Sequence, residues 1–195
     1  MDKQELTPQE SLRVIEEMIQ KSQKRISYNG GMPGLVWGYT TFFTALLIYF
    51  LMPRMDYRVN FLWFIIPILG GAIYFTLRRS QKRQTLVKNH IDRTIDIIWI
   101  ILGLNALVIS FIGSNIILSI ILILIGIGSS IMAFIADIKV YKVASIISMI
   151  AGYFILFVTI DPRSAVLYFG IAFLVTQSLP GHYLNYLSKK EHRYA

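Results

Sequence analysis

From Ile116 to Ala136 the chain carries no charged residue. At about 1.5 Å of rise per helical residue, this run matches the roughly 30 Å hydrocarbon core of a bilayer. Hydrocarbon offers no partner to a backbone amide, so a run this apolar is a helix, and the other apolar runs read in the same way. They fall at about 34–52, 60–77, 95–113, 141–160 and 164–179. The pattern predicts an all-α polytopic membrane protein with six transmembrane helices.

Polar and helix-breaking residues separate the runs. Asn29-Gly30-Gly31 and Pro33 turn the chain into the first span, Pro53 closes it, and Arg54, Asp56 and Arg58 mark a short polar loop. Pro67 with Gly70 and Gly71 predicts a kink in the second span. Gly113-Ser114-Asn115 makes a tight turn between the third and fourth spans, and Asp161-Pro162-Arg163 leads into the sixth. Pro180-Gly181 is expected to break the last helix. The expected organisation is a cytoplasmic entry unit over 1–33, a membrane bundle over 34–187 and a cytoplasmic tail over 188–195.

The entry unit has its own helix signal. Thr7 reads as an N-cap, Pro8 as the first helical residue and Glu10 as the far side of a capping box. Leu12, Ile15, Ile19 and Ile26 then recur at helical spacing. Glu10, Glu16 and Glu17 lie early and Lys21, Lys24 and Arg25 late, which complements the helix dipole. An amphipathic cytoplasmic helix to about Ser27 is expected. Met1 to Glu10, being polar and acidic, does not read as a secretory signal.

Charge sets the orientation. Six spans put both termini on one side, and if that side is the cytoplasm only Arg54, Arg58 and Arg163 of the 19 Lys and Arg lie outside. This bias accounts for most of the net charge of +8 without any nucleic acid partner. The basic segment 78–93 also has no aromatic residue on which a base could stack. Within it, Arg78, Arg79, Lys82, Arg83 and Lys88 are candidates for contact with anionic lipid headgroups. A composition of 55% hydrophobic and 15% charged residues excludes a soluble domain of this length. The absence of cysteine excludes disulfides, thiolate nucleophiles and thiolate metal sites.

Candidate chemistry is sparse. No charged residue falls at mid-depth: Asp96 lies about one turn inside the third span near Arg93, and Asp137 lies beside Lys139 and Lys142. Without a buried carboxylate, a proton-coupled mechanism lacks its usual carrier. Asn105, Ser110, Ser148 and Gln177 are the candidate lining of a solute path, and the same groups, with Ser145, serve equally as interhelical hydrogen bonds. Small residues recur at helical intervals, and Gly126, Ser130, Ala133, Ala144 and Gly152 are the expected packing positions. With Gly103, Ala106 and Ser110 they predict that spans three, four and five form the tight centre of the bundle or a dimer seam. His90, His182 and His192 show no i,i+3 or i,i+4 pairing, so the sequence points to no metal and no cofactor.

Two short stretches resemble an uncharacterised group of small bacterial inner-membrane proteins. They are Glu10-Ser11-Leu12 with Ile15-Glu16-Glu17-Met18-Ile19, followed by Trp37-Gly38, and then Pro180-Gly181-His182 with Leu184 near the other end. The resemblance implies a six-span bacterial membrane protein and brings no activity or catalytic residues with it. Together these readings predict a non-enzymatic scaffold, sensor or regulatory subunit, acting as a homodimer among membrane lipids with a cytoplasmic protein partner. The alternative is a small transporter or channel for a neutral or weakly polar solute. A lipid-acting enzyme built on Asp96, His90 and His182 comes third.

Overall fold

A computed structural model describes residues 7–14, 16 and 17, 31–55, 57–81, 90–112, 116–158 and 160–194, and every regular element among them is helical. The capping box is formed. The Glu10 carboxylate accepts from the Thr7 amide at 2.9 Å and the Thr7 hydroxyl at 2.8 Å, while the Glu10 amide donates to Thr7 Oγ1 at 3.3 Å. A helical stretch over 8–14 follows. Glu16 and Glu17 are helical too, and Arg13 Nε lies 3.7 Å from Glu17 Oε1 as an i,i+4 pair, while residues 15 and 18–27 of the expected amphipathic helix lie outside the described residues.

Helix α1 spans Gly31–Leu51, three residues ahead of the expected start. Pro33 falls inside its first turn, where the missing N–H has no acceptor to lose. The second apolar run is an irregular helix: a 3-10 segment Tyr57–Phe64, a π turn Ile66–Gly70 containing Pro67, then α2 over Gly71–Gln81. Where the sequence predicts a kink, the hydrogen-bond register changes, because proline cannot donate to the regular ladder. Helix α3 spans His90–Ile109 and ends in a 3-10 turn, Ser110–Ile112. The Gly113-Ser114-Asn115 turn lies outside the described residues. Helices α4, Ile116–Ile135, and α5, Lys139–Phe157, form a hairpin, and α6, Pro162–Phe173, runs through a π turn, Leu174–Ser178, into α7, Leu179–Tyr194.

Five of these runs are long and apolar enough to cross a membrane: Gly31–Leu51, Arg58–Leu77, Ile116–Ile135, Lys139–Phe157 and Pro162–Leu187. Helix α3 differs because its first two turns contain Asp92, Arg93 and Asp96.

The expectation that Pro180-Gly181 ends the last helix is corrected. The helix continues to Tyr194. The π turn shifts the ladder just before Pro180, so its missing N–H falls at the change of register and not in the middle of a regular helix. Gly181 serves packing: a Cβ there would stand 2.7 Å from the Gly31 carbonyl oxygen of α1.

The tight centre also differs from expectation. Helix α5 packs closely on α4, where a Cβ on Gly126 would meet Ser145 O at 3.0 Å and one on Gly152 would meet Ser119 O at 2.9 Å. The other close seam joins α1 to α6, the π turn and α7. Helix α3 is peripheral: space around Gly103 is open, and the helix leans on α4 through Leu102 and Trp99 beside Gly128. A small-residue stripe permits close approach but does not decide which stripes are used.

Candidate functional site: a buried polar layer at a widened helical turn

Two apolar clusters fill the bundle from its two ends. One contains Ile48, Leu122, Ile155, Phe169 and Phe173, the other Met132, Ala133, Tyr141 and Leu184. Between them, most of the buried positions are polar or glycine: Gly126 and Ser129 on α4, Ser145 and Ser148 beside Ala144 on α5, and Thr176, Gln177 and Ser178 in the π turn ahead of Pro180. From α1 come Gly34, Gly38, Thr40, Thr41 and Thr44.

Hydrogen bonds tie this layer across the helices. Gln177 Nε2 donates to Ser129 Oγ at 3.1 Å, and Ser148 Oγ donates to the Leu122 carbonyl at 2.9 Å. The hydroxyl of Tyr141, a residue only 2% exposed, reaches the Gln177 carbonyl over a long 3.5 Å. Ser145 and Thr176 bond within their own helices, to Lys142 O and Ala172 O, each at 2.8 Å. Ser119 Oγ and Ser178 Oγ are buried with no hydrogen-bond partner among the described residues. Such hydroxyls carry a desolvation cost that a satisfied group avoids.

Among the described residues no group of three His, Asp or Glu stands close enough to hold a metal ion. The layer consists of hydroxyls and one amide, groups that orient and join helices. No family model, curated protein or solved structure matches the chain.

The four residues read from sequence as a solute path do not come together. Ser148 and Gln177 are in the buried layer. Asn105 and Ser110 lie on exposed faces of α3 and its 3-10 end, bonded back to Ile101 O at 2.8 Å and Ala106 O at 2.6 Å. Of the packing set, Gly126, Ala133, Ala144 and Gly152 are buried and Ser130 is half-buried. Arg79 is exposed, the Arg78 side chain is not among those described, and Lys82, Arg83 and Lys88 lie outside the described residues.

Asp137 pairs with Lys142, its Oδ1 lying 2.6 Å from Nζ. The bond from Lys142, with its charge, holds the Asp137 carboxyl below the usual carboxylate range. Asp137 has φ 52° in the turn after α4, and Ile138 N bonds back to Ala133 O at 2.9 Å, which together make a Schellman ending. His182 is exposed, and its Nε2 lies 2.7 Å from the Tyr39 hydroxyl, linking α7 to α1.

Several residues of the layer are absent from the sequence-based set: Tyr141, Thr176, Ser178, Gly34 and Gly38. One signal for them exists. Gly34-Leu35-Val36-Trp37-Gly38 has the four-residue glycine spacing of close helix pairs. A Cβ on Gly34 would overlap the Tyr141 hydroxyl, and one on Gly38 would overlap Ser178 Oγ.

Proposed function

We propose that the chain is a six-span bacterial inner-membrane protein with both termini and an opening amphipathic helix in the cytoplasm. It works as a non-enzymatic scaffold or regulatory subunit, as a homodimer. Charge supports the sixth span: were α3 to stay on one side, Lys139, Lys142, Lys189 and Lys190 would lie across the membrane from the basic segment 78–93. From Ile97 to Ile112 α3 and its 3-10 end carry no charge, and Asp92, Arg93 and Asp96 then fall at the interface. The bacterial and inner-membrane assignment follows the resemblance carried by the residues of the two ends.

The observation that carries the functional reading is the use made of the buried polar groups. Gln177 and Ser148 are spent on bonds to Ser129 and to the Leu122 backbone, and the space beside Gly34 and Gly38 is filled by Tyr141 and Ser178. A solute path needs polar groups turned toward room; here Gln177 and Ser148 join helices.

The chain lacks cysteine, so each introduced cysteine reports alone. Arg58→Cys should react with an impermeant thiol reagent from outside intact cells, and Lys190→Cys only after permeabilisation. Labelling of Lys190→Cys from outside would refute the six-span topology. For the function, crosslinking in the host membrane should recover a protein partner that is lost when residues 1–28 are deleted. A partner retained after that deletion would remove the role given to the opening helix.

A further inference from the structure

A groove of about 680 Å³ runs between the start of α5 and α7, outside the polar layer. This volume falls within the roughly 300–1,000 Å³ of small-ligand sites. Its two walls are helical ridges at four-residue spacing, Lys139, Val143 and Ile147 on α5 against Val175, Leu179 and Tyr183 on the π turn and α7. The floor is closed by buried Ala144 and Leu184. Val143 is 59% exposed, Leu179 57% and Tyr183 49%, so both walls offer apolar surface to whatever lies between them.

The rim is charged at one end only. Asp137 is held by Lys142, whose ammonium also lies 4.9 Å from the Phe134 ring centre. Lys139, exposed on the same turn, makes no close ion pair among the described residues, and its charge acts on the Asp137 carboxyl only from further off. The rim therefore sets two ammonium groups against one carboxylate and is net positive above an apolar trough that runs from the α4–α5 turn towards Ile147 and Val175. We propose that this groove binds one anionic phospholipid, an acyl chain lying between the two ridges and the headgroup phosphate on the Lys139 ammonium. A cation at the membrane edge of a groove between helices attracts an anionic headgroup, and the apolar walls match the chain beneath it. The inference rests on the membrane reading but on neither the number of spans nor the scaffold role.

The test is native mass spectrometry of the full chain in non-ionic detergent, titrated with dioleoyl phosphatidylglycerol or dioleoyl phosphatidylcholine. One phosphatidylglycerol per chain is expected, held in preference to phosphatidylcholine. Lys139→Gln should weaken it about fivefold, equivalent to about 1 kcal/mol. Val143→Trp, at an exposed position that tolerates bulk, should fill the trough and abolish retention of the bound lipid. Arg54→Gln, in the loop after α1, should change nothing. Equal retention of the two lipids, or retention indifferent to Lys139→Gln and Val143→Trp, would overturn the proposal. So would a disulfide between two copies of Val143→Cys, which would put a second chain on this face. A chain that stays dispersed without detergent would instead overturn the membrane reading itself.

Discussion

Ser178 Oγ occupies the space that a Cβ on Gly38 would take, and Ser178 N stands 3.0 Å from the same point. The first neighbour is a hydroxyl that turns aside easily; the second is backbone and does not. Gly38 therefore sets how closely α1 approaches the π turn. Gly38→Val is expected to destabilise the bundle by about 2 kcal/mol, within the usual range for overpacking. Gly103→Ala, on α3 where the space is open, should lie within about 1 kcal/mol of the parent and lean towards stabilisation. Thermal unfolding in one detergent compares the two, and equal losses would refute the assignment of the close seam to α1.

Gln177 and Ser129 join the π turn to α4. A double-mutant cycle with Gln177→Leu and Ser129→Ala should give a coupling of about 0.6 kcal/mol, the average for such bonds between membrane helices. A cycle with Asn105→Leu in place of Gln177→Leu should give none, because Asn105 bonds to its own helix.

Arg163 closes the opposite end of α1. Its Nε donates to the Tyr49 carbonyl at 3.1 Å while the guanidinium stacks 4.2 Å above the Tyr49 ring centre. The carbonyl is among the last four of α1, which have no partner within the helix. Lysine keeps the charge but not the planar stack, so Arg163→Lys and Arg163→Ala should both cost about 1 kcal/mol. Unfolding of the two variants by denaturant titration checks this, and a lysine variant as stable as the parent would show that charge alone matters.

Acid should loosen the turns before it loosens the spans. Ser164, through its hydroxyl and then its amide, holds the Asp161 carboxyl below its usual value, as Lys142 does for Asp137. A carboxyl depressed in the folded state contributes stability above its unfolded value, near about 3.9 for Asp. That contribution is lost as pH falls through the lower folded value. Midpoints measured between pH 6 and pH 2 should therefore fall at the acid end, and less so in Asp161→Asn, which still caps α6. An identical acid slope in that variant would exclude Asp161 as a contributor.

Much of the fold is legible in the order of residues. Ile116 to Ala136 has to be helical, because no other backbone satisfies its amides in hydrocarbon. Thr7 with Glu10 and Asp161 with Pro162 announce helix starts, and in both places the side chain accepts from the amide three residues on. These features are local: the chemistry and its partner lie within one turn. Pro180 shows where local reading fails. Proline's effect depends on the hydrogen-bond register of the turn before it, and that turn is widened where it packs on α1 and beneath Tyr141.

The sequence by itself determined that the chain is helical, where most helices begin and which residues are too apolar for water. Only tertiary structure decided which small-residue faces meet. Gly126 and Gly103 look alike on a helical wheel, yet one lies against the Ser145 backbone and the other faces open space. It also decided that Ser148 and Gln177 share a layer while Asn105 and Ser110 do not. Periodicity places a residue on a face of its own helix; its partner comes from another part of the chain, and that pairing is set by shape and close packing across the whole bundle.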